Sequence, residues 1–279
     1  MPGDTERVAP GDDEMSPLPP AVAATLLIAC AGPALGQAGG VRLPDVGVSG
    51  KRGPCRTHPE RAAETAELWM LAKEALDGSV RSEPGAPTLV VEKWRRTLGP
   101  RLDLRWERRD TARLVTLHPF ETDVPSSLER AGYIQHIGWT IIFYGPDPDF
   151  LLSERFLRNH CFRRTAGDGA MTGLTGLAFE PLPHQTVSDV TGVLWIDPAR
   201  GELRRVEYTW TNAPREADAP GIGGFSDYVR LASGGWITRR WNMRIPRFET
   251  GPWRDLAGYS DEGGQVLAVG ESKPLRKRR

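Results

Sequence analysis

Cysteine is scarce in this chain of 279 residues, with only Cys30, Cys55 and Cys161. So few thiols exclude a disulfide-dense small scaffold and a zinc site built from cysteines alone. Histidine is almost as rare. His58, His118, His136, His160 and His184 are scattered, with no ligand spacing inside one element, so no metal site is expected. Net charge is absent too, at 36 Lys and Arg against 36 Asp and Glu. The balance hides an asymmetry, because the acids Asp4, Glu6, Asp12, Asp13 and Glu14 face a single base, Arg7, before residue 37. The rest of the chain is mildly basic, too mildly to indicate a nucleic-acid partner. Long apolar runs are also missing. The strongest, Ala21–Ala29, is too short for a permanent transmembrane helix.

The motifs of common catalysts are lacking as well. No Gly-x-Ser-x-Gly elbow, Ser-x-x-Lys, His-Glu-x-x-His or Gly-x-Gly-x-x-Gly occurs, and Gly47-Val-Ser-Gly-Lys51 is too short for a phosphate loop. The expectation is therefore a protein without catalytic residues or cofactor. If it were an enzyme, the first place to look is His118-Pro-Phe-Glu-Thr-Asp123, a loop that clusters three titratable groups.

What the chain does have is two adjacent hairpins. Asp189–Asp197 and Glu202–Trp210 flank Pro198-Ala-Arg-Gly201, where Asp197-Pro198 opens a turn and Gly201 can close it in a left-handed conformation. Tyr228–Ile245 turns at Ser233-Gly234-Gly235. Alternation places Val206, Tyr208 and Trp210 on one face, with Arg205, Glu207 and Thr209 on the other. In the second return strand it groups Ile237, Trp241, Met243 and Ile245 against Trp236, Thr238, Arg240, Asn242 and Arg244. One apolar and one polar face describe an antiparallel sheet covered on a single side. The crowded aromatics fit either an ordinary core under covering helices or the concave wall of an apolar cavity.

Around the hairpins the chain divides as follows. Residues 1–36 read as a polar start, with Met15 as an alternative initiator, and then a signal peptide. Its apolar run precedes a small-x-small site at Ala34-Leu35-Gly36, although no Lys or Arg separates Met15 from that run. Leu27-Ile-Ala-Cys30 offers a competing reading as a lipidation box. Residues 37–54 form a Gly- and Pro-rich linker, and 55–270 a single domain. Thr57-His-Pro-Glu60 predicts a capped helix running to Asp77 and stopped by Gly78, with Ala62, Ala66, Trp69, Ala72 and Leu76 on its apolar face. Strands follow within Thr88–Leu117, where seven bases between Lys93 and Arg109 read as a solvated strand face in preference to an anion site. Trp139–Tyr144 predicts another strand. Asp147-Pro148 opens a second helix through about Phe162, with Cys161 in its last turn. Leu174–Glu180 is a strand, and Trp253–Gly258 and Gln265–Val269 are weaker candidates. The basic tail, residues 271–279, reads as a frayed end.

In an exported chain, Cys55 and Cys161 are expected to pair. Two free thiols, or a metal pair using His160, are the alternatives.

Several of these segments carry a resemblance. Phe156-Leu-Arg-Asn-His-Cys-Phe162, Gly173–Pro181, Asp189–Asp197, Glu202–Tyr208 and Gly234–Pro246 together resemble the C-terminal half of bacterial secreted carboxypeptidase regulatory-like domain-containing proteins. The preceding helix of that half is similar to Cys55–Asp77. The small transthyretin-like sandwich that names the group has no room between the cleavage site and Cys55, and the name implies no peptidase. The hairpin pattern more loosely resembles lipoprotein carriers of the LolA and LolB kind, in which a bent antiparallel sheet wraps helices around an apolar cavity. That likeness implies an α+β fold, a half-barrel sheet of about eight to eleven strands under about two helices. It also implies a non-catalytic, exported protein of the periplasm or envelope that binds a lipid or acyl chain. Trp69, Phe179, Trp195, Tyr208, Trp210, Trp241 and Met243 are the candidate lining residues. The alternative is a module that docks on an envelope or outer-membrane protein without any cavity.

Overall fold

The computed structural model describes residues 57–80, 87–117, 125–138, 140–183, 186–215, 217–249 and 255–270. All of them lie in the compact unit Gly40–Arg279. Cys30, Cys55, the segments 1–36 and 37–54, the His118–Asp123 loop and the tail 271–279 lie outside the described residues.

Nine strands form one antiparallel sheet: β1 (Thr88–Leu98), β2 (Leu104–Val115), β5 (His160–Ala166), β6 (Thr175–Pro181), β7 (Asp189–Asp197), β8 (Glu202–Thr211), β9 (Gly223–Arg230), β10 (Trp236–Phe248) and β11 (Leu256–Gly270). Their order is β2-β1-β11-β10-β9-β8-β7-β6-β5, so the sheet is open, with β2 and β5 at its edges. From β5 to β11 the chain meanders, each strand pairing with the next, and β11 closes back onto β1. A separate hairpin pairs β3 (Ile134–Ile137) with β4 (Thr140–Phe143). Among the described residues four helices complete an α+β fold: α1 (Ala63–Val80), α2 (Pro125–Ala131), α3 (Pro148–Leu152) and α4 (Glu154–Asn159). None of the described helices is long and apolar enough to cross a membrane.

The first hairpin turns as its residues require. Gly201 adopts φ 64° and donates its N–H to the Asp197 carbonyl at 2.8 Å, while the Asp197 carboxylate accepts from the N–H of Ala199 at 3.0 Å. Elsewhere the structure corrects the sequence reading. Thr57 does not cap a helix. His58 takes a left-handed conformation before a short 3-10 turn at Pro59–Arg61, and α1 begins only at Ala63. Gly78 does not stop α1, which continues to Val80. It instead gives the Trp236 ring a seat, since a Cβ at Gly78 would lie 2.8 Å from Trp236 Cδ1.

The second predicted helix is two short ones. Asp147 caps α3 by accepting from the Phe150 N–H at 2.7 Å, and Ser153 both ends α3 and caps α4. Cys161 lies in strand β5, not in a helical turn. In β10 a register shift between Thr238 and Arg240 breaks the expected alternation. Trp236 joins the main core, and Ile237 packs with Leu89, Val91 and Leu117 in a separate cluster. An extra residue in one strand shifts every side chain beyond it to the opposite face.

The main core lies under α1, which packs across β5 to β8 and β10 and against α3. Its aromatics interlock edge to face: Tyr133 with Phe150 at 5.0 Å between centroids, Phe150 with Phe156 at 5.3 Å, and Phe156 with Phe179 at 5.3 Å. Such pairs contribute roughly 0.5–1.5 kcal/mol each beyond their buried area. Burial also holds the Asp147 carboxyl up, at a pKa of about 6, against the Phe150 hydrogen bond that favours its charge.

Candidate functional site: a groove on the inner sheet face

Directly paired residues share a face of a sheet, so the register traces what lines each side. One row runs Tyr208, Gly224, Met243, Glu262, Arg95, Arg108 across β8, β9, β10, β11, β1 and β2. Its neighbour runs Val206, Ser226, Trp241, Gly264, Lys93, Asp110 over the same strands. Val206 and Tyr208 belong to the core beneath α1, so both rows lie on that inner face. Each row starts buried at β8 and ends exposed at β2. Where the helical cover stops, a groove of about 610 Å³ opens over them.

The boundary of the cover is the end of β4. Phe143 packs edge to face on Trp210 at 5.1 Å, the Trp210 Nε1–H donates to the Tyr144 carbonyl at 2.8 Å, and Gly145 lies against the Tyr208 hydroxyl. These residues form one wall of the groove, and Trp106 of β2, 48% exposed, stands at the other. The floor depends on Gly264. A Cβ there would lie 2.6 Å from Trp241 Cη2, so the indole of β10 lies across β11 because that residue has no side chain. Two ion pairs line the open side. Arg95 meets Glu262 at 2.8 Å, and Arg108 meets Asp110 at 2.9 Å. Lys93 carries no ion pair among the described residues.

The opposite face is built differently. Rows there run Glu207, Phe225, Asn242, Gly263, Trp94 and Arg205, Asp227, Arg240, Gln265, Glu92. Gly263 does for Trp94 what Gly264 does for Trp241: its Cβ would meet Trp94 Cζ2 at 2.7 Å. Trp94 thus crosses β11 and donates to Asn242 Oδ1 at 3.3 Å. Guanidinium groups alternate with rings along this face. Arg205 lies 4.3 Å from Phe225, Arg240 is 5.4 Å from Phe225 and 5.9 Å from Trp94, and Arg96 is 5.1 Å from Trp94. Carboxylates tie the ladder down: Arg205 to Asp227 at 2.5 Å, Arg244 to Asp261 at 2.9 Å, and Arg96 to Glu107 at 3.2 Å. Burial opposes the Arg205 charge, but hydrogen bonds to Asp227 and Glu207 hold its pKa above the usual guanidinium value.

Of the seven candidate lining residues, the structure brings Tyr208, Trp241 and Met243 to the groove. Trp69, Phe179 and Trp210 are buried in the main core, and none of them lines the groove. Trp195 is on the other face. It pairs with Arg205 and donates to Glu207 Oε2 at 3.0 Å. The sequence reading missed Trp106, Lys93, Arg95 and Arg108. The seven bases of Lys93–Arg109 do not share one solvated face, because alternation divides them. Lys93, Arg95 and Arg108 face the groove, while Arg96 and Arg109 join the opposite network. Strand alternation in 93–95 and 106–110 was the signal that separated them.

No protein family, curated protein or solved structure matches the chain.

Two other sites bear on the alternatives. His160 is buried beneath α4 with Nδ1 3.1 Å from the Phe156 carbonyl and Nε2 3.1 Å from that of Val190, and the Asp189 carboxylate is 3.3 Å away. Both ring nitrogens lie against backbone carbonyls, and Ser188 nearby is held by Ile134, so this trio is a structural clasp. Among the described residues no group of three His, Cys, Asp or Glu is placed to hold a metal. Cys161 is disulfide-bonded, which removes the free-thiol and metal-pair alternatives for it. Its partner lies outside the described residues, where Cys30 and Cys55 are the chain's other cysteines.

Proposed function

We propose that this protein is an exported, non-catalytic component of the bacterial envelope that binds an apolar ligand, a lipid or acyl chain, in the groove of its open sheet. The observation that carries the reading is the pair of rows that leave the core and continue, with no described helix over them, as a floor of the half-buried Trp241 and Met243 between Tyr208 and Trp106. The groove's volume of about 610 Å³ falls in the range that takes one small-molecule ligand. Trp106, 48% exposed, extends the apolar floor to the groove's edge, and contiguous apolar surface of this kind marks ligand-binding grooves. The disulfide at Cys161 fits an oxidising compartment.

The test is native mass spectrometry of protein purified from a periplasm without denaturation, together with an organic extract of the same sample. The expected result is a co-purifying lipid that is lost in a folded Trp106→Arg variant. Trp210 is unsuited to this experiment, because it is buried in the core and its replacement would unfold the domain. A clean mass with no extractable lipid would overturn the reading and favour a docking module. For that alternative the exposed Leu104 and Trp106 on edge strand β2 are the first contacts to examine.

A further inference from the structure

Charge in the groove is distributed unevenly. Arg95 is neutralised by Glu262 at 2.8 Å and Arg108 by Asp110 at 2.9 Å, each within the site. Lys93 stands in the same row as Trp241 and is separated from it only by Gly264. Asp110 is directly opposite Lys93 in the ladder, but its carboxylate is turned to Arg108. Among the described residues Lys93 is therefore the groove cation without a counter-ion, at the open end of a floor that runs on to Trp241, Met243 and Tyr208. We propose that the groove's ligand is a single-chain monoanionic amphiphile, a fatty-acid carboxylate, with its head at the Lys93 ammonium and its chain laid over Trp241 and Met243 toward Tyr208. This rests on the groove reading above and adds the head group and the direction.

Three observations converge on it. The first is stoichiometry of charge. A monoanion neutralises Lys93, whereas a phosphate dianion leaves excess negative charge beside Glu262 and Asp110. The second is length. From β1 to β8 the floor crosses four strand spacings, about 19 Å, which suits one long extended chain. The third is polarity along that line. Lys93 is exposed, Trp241 and Met243 are half-buried, and Tyr208 is buried, so the floor runs from wet to dry as an amphiphile does from head to tail.

The experiment titrates the purified domain with palmitate, with hexadecanol of equal chain length, and with hexadecyl phosphate, all below their aggregation thresholds. A fatty acid brominated on the chain reports location by quenching the groove tryptophans. Wild-type protein is expected to bind palmitate more tightly than hexadecanol. Lys93→Gln should weaken palmitate roughly fivefold to tenfold, in keeping with one charge-assisted contact near solvent, and leave hexadecanol unchanged. Arg113→Gln, an exposed base away from the groove, is the control and should change neither. Equal affinity for palmitate and hexadecanol, or palmitate binding indifferent to Lys93→Gln, would overturn the head-group assignment while the apolar groove stands. Tighter binding of hexadecyl phosphate than palmitate would overturn the monoanion argument. Absence of binding and quenching by every chain would overturn the groove reading itself.

Discussion

Strands β5 to β8 and strands β11, β1 and β2 present the same face of one sheet, yet the first group is sealed and the second is open. The sealed half lies beneath α1 and the β3–β4 hairpin, and its side chains are Phe162, Phe179, Leu194 and Val206, all buried. The open half has no helix over it among the described residues, and its side chains are Lys93, Arg95, Trp106 and Glu262. Residue choice follows the cover. Under the helix the strands carry mostly apolar side chains with few polar atoms, and beyond it they carry tryptophan and charged groups. The same backbone therefore yields a core that supplies stability and a groove open to solvent. A substitution should affect one property or the other according to the half it strikes.

The largest effect should come from the sealed half. Phe179→Ala is expected to cost about 3–5 kcal/mol in urea unfolding, because it empties a space ringed by Phe156, His160 and Gly192. A cost below that of a surface change would break the comparison. Next, loss of the disulfide through Cys161→Ser should lower stability by roughly 2–5 kcal/mol. Peptide mapping without reductant should find Cys161 joined to Cys55, and a Cys30 partner would redraw how β5 is fastened.

The third effect depends on pH. The native Asp147 carboxyl has a pKa of about 6, above its unfolded value, so the folded state holds the proton more tightly. The resulting stabilisation is present in full below about pH 4 and is lost as pH rises through 6. It should amount to roughly 2–3 kcal/mol, and Asp147→Asn, which still caps α3, should abolish that dependence in denaturation curves taken at several pH values. A wild type and variant differing by the same amount from pH 4 to pH 8 would refute it. The smallest effect belongs to the open half. Trp106→Ala should change stability by no more than about 0.5 kcal/mol while removing ligand from the groove. Comparable losses from Trp106→Ala and Phe179→Ala would mean that the two halves are one continuous core.

The division between the halves was only partly legible in the sequence. Alternation in Val206, Tyr208 and Trp210 announces a covered face, and Gly201 and Gly234 announce the turns that pair β7 with β8 and β9 with β10. Asp147-Pro148 announces a helix start. What alternation cannot report is how far the cover extends. Trp210 and Trp241 read alike in their strands, and only the position of the β4 end over Trp210 separates core from groove. The shift at Arg239 is similarly silent, because a bulge depends on partner register and leaves no mark in local composition. Gly263-Gly264 is the more informative signal. Two adjacent glycines inside a strand indicate close approach on both faces, and here each accommodates one indole.

The pairing of β1 with β11 also has a consequence in time. Thr88 meets Gly270, and Leu98 meets Tyr259, so β1 has no neighbour on that side until the last described strand of the chain is made. Contacts this distant in sequence form slowly. On the ribosome, the meander from β5 to β10 can collapse around α1 as soon as it emerges, whereas the groove strands must wait for the final segment. The groove half is thus the last part of the molecule to be assembled, and a nascent chain halted before Leu256 should already have its core but no groove.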